Sequence, residues 1–381
     1  MTKYWLLALF ASFSVQVQAM VCEDLMKEQA AVTAAKPGEQ YQVARSPRGF
    51  PVAYEVSRSG DPNAPLLVFV NGQMYGLHGF REFSKTLIPF GVDTVSIAFS
   101  LQPESISKMT AAEKEKLLSA THNPETMADE VLAAIQAVRG KDQKVILSAL
   151  SFGSAVVPAL LRKQPQLFSE TILFAPLVEP GELYPAETAQ MKQMENLWSL
   201  NPFFGSIAIN QSRQFVTEQY VAKVFKENPV ATLYDVPVDP TFVEKAIVKL
   251  TRAAEDFNLL QEMSALPQTV HYFVAGQDAP NRLKNQVESF VQHRQKTGHG
   301  ILTVIPLAAH AKVFNFMMEP TALQVAALAS GRMPDKMPFL FLRLEQGKFD
   351  FLKGSGTQEI LSSIETLNKL YNEAIEKSDK K

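Results

Sequence analysis

Several features that mark large classes of protein are scarce or missing in this sequence. Its single cysteine, Cys22, cannot form an intrachain disulfide, which is compatible with an exported protein, where disulfides are permitted but not required. The formal net charge is only −2 and the chain has no long basic block, which argues against nucleic acid or anionic lipid as the main partner. Paired-cysteine spacings and the His-Glu-x-x-His pattern are absent, so we expect no metal site.

A cofactor site is not indicated either. Gly72, Gly76 and Gly79 lie in one short stretch, but they lack the spacing of a dinucleotide site and the lysine of a phosphate-binding loop. Internal repeats and low-complexity segments are also missing. What is present is a 381-residue chain with 46% hydrophobic residues, which suffices for one α/β domain with insertions.

The N-terminus has the pattern of a secretory signal peptide. Lys3 supplies a positive charge, residues 4–13 form an apolar stretch too short to span a bilayer, and residues 17–19 offer a small-residue cleavage site. We therefore expect a signal peptide over residues 1–19 and a periplasmic or secreted mature protein with no stable membrane span. An uncleaved anchor is the alternative.

The most informative motif surrounds Ser151. An apolar strand predicted from Val145 to Leu150 ends at this serine, and the positions two residues before and after it are Ala149 and Gly153. A serine on a tight strand-to-helix turn needs very small residues at both positions, because larger side chains would collide. The pattern indicates a nucleophile elbow in which Ala149 replaces the usual glycine. The alternative is an ordinary serine helix cap after a buried strand.

Two later segments supply groups that would activate such a serine. The strand predicted from Val270 to Val274 runs into Asp278, and the strand predicted from Ile301 to Pro306 is followed by His310. A nucleophilic serine needs a base to take its proton and an acid to orient that base. We therefore predict Ser151 as nucleophile, His310 as base and Asp278 as acid.

The chain order Ser151, Asp278, His310 resembles that of the α/β-hydrolase superfamily, and the resemblance covers roughly Tyr41 to Ala329. It implies an α/β fold in which a mostly parallel sheet is flanked by helices. It also implies a helical cap inserted in the core, and this chain carries a C-terminal extension in addition.

Upstream, the segment after the strand predicted at residues 65–70 takes the place of the family's oxyanion loop, with Asn71 where the family commonly has histidine. In the family two backbone N–H groups hold the oxyanion, one in this loop and one on the residue after the nucleophile. The resemblance thus implies Phe152 as one donor and Gln73 or Met74 as the other. A shift of one residue in the turn would exchange the last two.

Other residues compete for the roles of acid and base. Glu179 and Glu182 follow the strand predicted at residues 171–175, where some family members carry the acid, and the Gly276-Gln277-Asp278 spacing is one residue shorter than the commonest form. Asp278 is nevertheless the preferred acid. Of the six histidines only His310 follows a late strand. The others are His78, His122, His271, His293 and His299.

These elements predict a division of the chain. The core domain would occupy residues 20–176 and 267–330, the helical cap residues 177–266, and the C-terminal extension residues 331–381, in which a hairpin and a helix are predicted without a functional role. The cap is rich in large apolar residues that could line a pocket for an apolar acyl or aromatic group, although most would form the core of the cap itself. They are Met191, Met194, Leu197, Trp198, Phe203, Phe204, Ile207 and Phe215.

The function predicted first is a serine hydrolase that cleaves a small carboxylic ester, thioester or amide through an acyl-enzyme, with a small molecule as its partner. An aminopeptidase or amidase of the same fold is an alternative, in which Glu179, Glu182 or Glu195 would capture a free amine. A catalytically silent binding protein is the other alternative, supported only by Ala149 and Asn71. Fold analogy does not name a substrate.

Overall fold

A computed structural model describes residues 41–179, 181, 185–200, 205–234, 236–264, 266–278, 282–310, 313–314, 318–331, 339–342, 349–350 and 356–378. The predicted signal peptide, residues 1–19, lies outside the described residues.

The described residues form ten strands of one sheet. They are β1 Gln42–Arg45, β2 Pro51–Ser57, β3 Leu66–Val70, β4 Asp93–Ile97, β5 Val145–Leu150, β6 Phe168–Phe174, β7 Val270–Ala275, β8 Leu302–Ile305, β9 Phe339–Leu342 and β10 Phe349–Asp350. Their order in the sheet is β1-β2-β4-β3-β5-β6-β7-β8-β9-β10. The six pairs between β4 and β9 are parallel and the antiparallel pairs lie at the two edges, so the sheet is mostly parallel.

Helices connect these strands. In the described part of the chain they are α1 Arg81–Leu87, α2 Pro103–Ile106, α3 Ala111–Ser119, α4 Pro124–Val138, α5 Val157–Lys163, α6 Pro185–Trp198, α7 Gly205–Glu227, α8 Val230–Leu233, α9 Pro240–Arg252, α10 Leu259–Ser264, α11 Leu283–Thr297, α12 Met318–Ala329 and α13 Thr357–Ser378. Short 3-10 turns occur at Leu77–Phe80, Ile88–Phe90 and Ser151–Val156.

The sheet separates two apolar layers because successive side chains of a strand point to opposite faces. In β3, Val68 and Val70 belong to the layer that includes α4 and α5, whereas Leu67 and Phe69 belong to the layer that includes α1 and α12. Every residue of β3 is buried, which is expected of a central parallel strand with helices on both faces. The predicted sheet flanked by helices is therefore confirmed.

Helix α4 illustrates how local sequence fixes an element under the sheet. The side chain of Asn123 accepts a hydrogen bond from the Thr126 N–H at 2.9 Å, and the Asn123 N–H donates to Thr126 Oγ1 at 3.1 Å. Such reciprocal bonds satisfy amides that the first helical turn leaves without partners. Helical spacing then places Met127 and Val131 on the buried face.

The two long segments outside the central core, the insertion between β6 and β7 and the C-terminal extension, occupy different places in the fold. Helices α6 to α10 lie between β6 and β7, where the helical cap is predicted, and its role as a cap stays a prediction. The predicted C-terminal extension contributes to the sheet itself, because β9 pairs in parallel with β8 and β10 pairs with β9. Within the described residues, no helix combines the length and the apolar character needed to cross a membrane.

Candidate active site

Ser151 lies at the point where β5 ends and the 3-10 turn Ser151–Val156 begins. Its φ is +50°, in the left-handed region that non-glycine residues rarely adopt. The turn is held from two sides, since the Leu177 N–H donates to Ser151 O at 3.1 Å and Ser154 Oγ donates to the same oxygen at 2.6 Å. The serine therefore occupies the sharp, strained turn predicted for a nucleophile elbow.

The three residues predicted to act together are in direct contact. His310 Nε2 is 2.8 Å from Ser151 Oγ, and His310 Nδ1 is 2.9 Å from Asp278 Oδ2. A carboxylate only accepts hydrogen bonds, so Nδ1 carries the proton of the neutral ring and Nε2 accepts from the serine hydroxyl. The side chain of Asp278 is fully buried, whereas that of His310 keeps 16% of its surface exposed.

Gln286 is a second partner of Asp278, and no sequence pattern predicted it. It lies on α11, and its side chain Nε2 donates to Asp278 Oδ2 at 3.0 Å. The same carboxylate oxygen thus accepts from both Gln286 and His310, which fixes the orientation of the buried carboxylate. No short motif links a glutamine to an acid eight residues earlier, so only the packing of α11 reveals it.

The glutamates proposed as alternative acids have other surroundings. Glu179 Oε1 accepts a hydrogen bond from Asn258 Nδ2 at 3.2 Å, and Glu182 lies outside the described residues. Glu195, considered for amine capture, pairs with Arg213 at 2.6 Å. Asp278 is therefore the carboxylate that the structure brings to His310.

Gly153 allows the end of β3 to pass directly beside the elbow. A Cβ atom at position 153 would lie 2.5 Å from Val70 O and 2.8 Å from Asn71 O, distances that no real side chain tolerates. A Cβ on Gly72 would lie 3.5 Å from Leu150 O, so the oxyanion loop reaches the residue before the serine. The small residue at position 153 thus has a packing reason as well as a conformational one.

Ala149, which stands where the family's elbow has its first glycine, is fully buried in β5. It pairs with Val70 of β3 and with Leu173 of β6 in the sheet. The methyl group is part of the apolar layer, so this departure from the usual motif is compatible with the elbow.

The predicted oxyanion loop, residues 71–74, is oriented through its carbonyl groups. Gln102 Nε2 donates to Gly72 O at 2.8 Å, and the Tyr234 hydroxyl donates to Gln73 O at 3.3 Å. In a trans peptide the C=O and the following N–H point in opposite directions. The N–H groups of Gln73 and Met74 therefore point away from these two side chains. Both N–H groups thus stay candidates for the oxyanion donor.

Tyr234 keeps its proton and hence its ability to donate. Burial, with a smaller effect from the nearby Glu104 carboxylate, raises the pKa of Tyr234 well above its ordinary value. The side chain of Gln73 in turn donates to Thr251 Oγ1 on α9. The helical segment between β6 and β7 is thus bonded to the oxyanion loop by both Tyr234 and Thr251.

The remaining histidines lie at other places in the fold. Inside β7, His271 Nε2 is 3.0 Å from Glu170 Oε2, and His293 Nε2 donates to Gln268 O at 2.9 Å. His78 is half-buried after the oxyanion loop. His122 bonds Leu117 O through Nε2, and His299 is exposed.

Several of the apolar residues predicted to line a pocket or to form the core of the cap are exposed. Leu197, Trp198, Ile207 and Phe215 are between 42% and 71% exposed, so these side chains lie on the surface of α6 and α7. Met191 and Met194 are half-buried, and residues 203 and 204 lie outside the described residues. Composition alone predicted many apolar side chains in this segment, but the packing of the two helices decides which are covered.

No protein-family model matches the chain, and no curated protein is significantly similar to it in sequence. Many solved structures, however, are similar in fold. A thermophilic esterase from Thermogutta terrifontis is 15% identical with a TM-score of 0.52, over 77% of this chain and 100% of that chain. The esterase EaEST from Exiguobacterium antarcticum is 12% identical with a TM-score of 0.52, over 76% and 99%.

The enol-lactonase from Burkholderia xenovorans LB400 is 12% identical with a TM-score of 0.51, over 76% of this chain and 100% of that chain. At such identities the similarity is one of fold. With the parallel sheet and the elbow after β5, it shows that the chain has the α/β-hydrolase fold.

Proposed function

We propose that the protein is a serine hydrolase that cleaves a small carboxylic ester. The observation that carries the proposal is the unbroken hydrogen-bond chain from Asp278 through His310 to Ser151. A buried acid that orients an imidazole, and an imidazole that accepts from a serine hydroxyl, together activate that serine as a nucleophile. In this proposal Asp278 fixes the tautomer of His310 and stabilises the imidazolium that forms.

The first half of the proposed reaction forms an acyl-enzyme. His310 Nε2 takes the Ser151 proton while Oγ attacks the substrate carbonyl carbon. The resulting oxyanion is held by the Phe152 N–H and by the N–H of Gln73 or Met74. Collapse of the tetrahedral intermediate breaks the ester C–O bond, and the leaving alcohol receives the proton from His310.

The second half releases the acid. Water gives a proton to His310 Nε2 as its oxygen attacks the acyl carbon. Collapse of this second intermediate breaks the bond to Ser151 Oγ, which recovers the proton from His310. The products of this half-reaction are a carboxylic acid and the free enzyme.

We favour an ester over an amide because the proteins of similar fold described above include two esterases and an enol-lactonase. Thioesters and amides belong to the same reaction class, because the acyl-enzyme is common to all three. An apolar acyl or aromatic part of the substrate stays a prediction from the composition of residues 177–266.

Covalent labelling by a fluorophosphonate tests the proposal directly. We expect the folded wild-type protein to be labelled and Ser151→Ala not to be labelled. Ser148→Ala is the matched control, because Ser148 is buried three residues away and donates to Val68 O at 2.9 Å. It should be labelled like the wild type. Absence of labelling in folded wild-type protein would favour the silent binding protein instead.

A substrate screen then separates the remaining alternatives. p-Nitrophenyl esters of short acyl acids should be hydrolysed faster than the matching anilides, whose leaving group is harder to expel. Faster cleavage of substrates with a free N-terminal amine would instead identify an aminopeptidase. In both screens Ser151→Ala is the blank.

We also propose that the protein is exported to the periplasm or secreted. The support is the N-terminal pattern of Lys3, the apolar residues 4–13 and the small-residue cleavage site at residues 17–19. Mass spectrometry of the protein isolated from its own cells should give a mature N-terminus at Met20. An intact N-terminus at Met1 in a membrane fraction would instead identify the uncleaved anchor.

A further inference from the structure

The C-terminal helix α13 reaches both loops that carry the acid and the histidine. The side chain of Asn368 donates from Nδ2 to Gly276 O at 2.9 Å. Its Oδ1 accepts from the Leu307 N–H at 3.3 Å. Gly276 lies two residues before Asp278, and Leu307 lies three residues before His310. One side chain, 92 residues away from Gly276, thus contacts the loops on which both groups are carried.

The two loops are also bonded to each other. The Gly276 N–H donates to Ile305 O at 2.8 Å, and the Gln277 N–H donates to Ala308 O at 3.0 Å. The Gly276 carbonyl and the Leu307 N–H take no part in these two bonds. Buried backbone groups need hydrogen-bond partners. Asn368 supplies both partners at once.

The contact lies where the backbone is constrained. Leu307 has a φ of +58°, a conformation that costs a non-glycine residue free energy and persists only when its surroundings hold it. A Cβ on Gly276 would lie 3.0 Å from Asn368 Oδ1 and 3.1 Å from Pro306 Cα, so the loop and the side chain are closely packed. Small movements of α13 would therefore be transmitted to both loops.

The residue type fits this task. A carboxamide places a donor and an acceptor in one rigid plane, which neither a carboxylate nor an aliphatic side chain does. The helix that presents it is anchored, since Ile360 and Ile364 of α13 are buried in the apolar core. The position of Asn368 is thus set by packing independent of the two loops.

We propose that Asn368 is a positioning residue for the active site. It holds the loop that carries Asp278 and the loop that carries His310 at the spacing that brings these two side chains together. This inference rests on the serine hydrolase function proposed above. It gives the C-terminal helix, for which the sequence offered no role, a part in the reaction. Because Asn368 acts through Asp278 and His310, its loss should affect the chemical step more than substrate binding.

Steady-state kinetics of Asn368→Ala test the inference. We expect kcat to fall about tenfold with KM within about twofold, because small misplacement of catalytic groups slows the chemical step. Asn368→Asp keeps the acceptor for the Leu307 N–H but loses the donor to Gly276 O. Its carboxylate oxygen would face Gly276 O, where two acceptors repel each other, so its kcat should also fall below that of the wild type.

Two further variants serve as controls. Ile135→Val removes a buried methylene group from α4 rather than from α13, so it should lower the urea midpoint but leave kcat unchanged. Asn372→Ala changes an exposed residue of α13 one turn beyond Asn368 and should leave both unchanged. A fall of kcat in Ile135→Val in proportion to its lost stability would overturn the inference, because kcat would then follow general stability alone.

The rate of fluorophosphonate labelling separates this inference from the proposed function. We expect labelling of Asn368→Ala to be slower than that of the wild type by about the factor seen in kcat. Labelling of both proteins at the same rate, or an unchanged kcat, would overturn the positioning role alone. A wild-type protein that is not labelled would overturn the serine hydrolase and the positioning role with it.

Discussion

The elbow and the α6–α7 helix pair bury their residues very differently. All six residues of the turn Ser151–Val156 are buried, whereas the 23-residue helix α7 buries only Gly205, Val216, Thr217 and Val221. Leu200, between α6 and α7, is 82% exposed. The proposed reacting groups thus rest on a closely packed sheet, while the inserted helices carry apolar side chains that folding does not cover.

The difference indicates that the two regions have different roles. Atoms that must keep fixed distances belong where neighbouring strands and helices leave no freedom, as at Ser151 and Gly153. The inserted helices meet this rigid part through Tyr234 and Thr251, which bond Gln73 of the oxyanion loop. Substitutions in the two regions should therefore have very different effects.

The largest effect is expected at the buried acid. Asp278→Asn should lower kcat by about 10³- to 10⁴-fold while the protein stays folded, because an amide favours the wrong tautomer of His310 and does not stabilise its imidazolium. Glu179→Gln is the matched control and should stay within about threefold of the wild type. A larger loss of activity in Glu179→Gln than in Asp278→Asn would assign the acid to the other loop.

A methyl group added to the elbow should have the next largest effect. Gly153→Ala would bring Cβ against Val70 O and Asn71 O, so we expect a loss of about 1–3 kcal/mol in the free energy of unfolding and a clear loss of activity. Ala149→Gly restores the usual motif on the other side of Ser151. It should cost no more than about 1 kcal/mol. Equal urea midpoints for the two variants would contradict the close approach of β3 to the elbow.

Acidification should lower the free energy of unfolding through His122, on the side of the core that faces the inserted helices. Burial, reinforced by the positive charges of Arg48 and Lys249, lowers the pKa of His122 from 6.5 to about 4. The unfolded chain takes up this proton near pH 6.5, so the stability from the neutral ring is complete above that pH and is lost as the pH falls towards 4. The loss between pH 7 and pH 5 should be about 2 kcal/mol.

Urea unfolding at pH 7, 6 and 5 measures this dependence. His122→Gln has no group that titrates in this range at that position, so its unfolding free energy should change less with pH than that of the wild type. Other titrating groups are common to both proteins and cancel in the comparison. Parallel pH profiles for the two proteins would contradict the assignment to His122.

The smallest effect is expected at the exposed residue Leu200, between α6 and α7. Leu200→Ser should change the free energy of unfolding by no more than about 0.5 kcal/mol, because the side chain is already in water. Val221→Ala, at a fully buried position of α7, should cost about 1–3 kcal/mol. A large loss in Leu200→Ser would mean that another surface covers this side chain in solution.

The site shows which contacts can be predicted from local sequence patterns and which cannot. Ser151, Asp278 and His310 each follow the end of an apolar strand, and parallel strands end at the same edge of a sheet, so their proximity was predictable. The partners of these groups were not. Gln286 and Asn368 have no motif of their own, because what defines them is the packing of a helix against a loop distant in sequence.

The residues predicted to line a pocket show that a local pattern does not reveal which side chains are buried. Leu197 and Trp198 were correctly recognised as members of an apolar helical segment, but not as exposed residues. Hydrophobic spacing states which side chains share a helix face, and it does not state what, if anything, covers that face. Coverage depends on the position of the neighbouring helices.

The sequence by itself determined the alternation of strands and helices, the elbow around Ser151 and the chain order of the three groups, because these follow from local periodicity and from residue size. The tertiary structure alone decided that Asp278 rather than Glu179 meets His310, that Tyr234 and Gln102 orient the oxyanion loop, and that Asn368 joins the two loops. Those contacts depend on distances between residues far apart in the chain, which only the packed sheet and helices set.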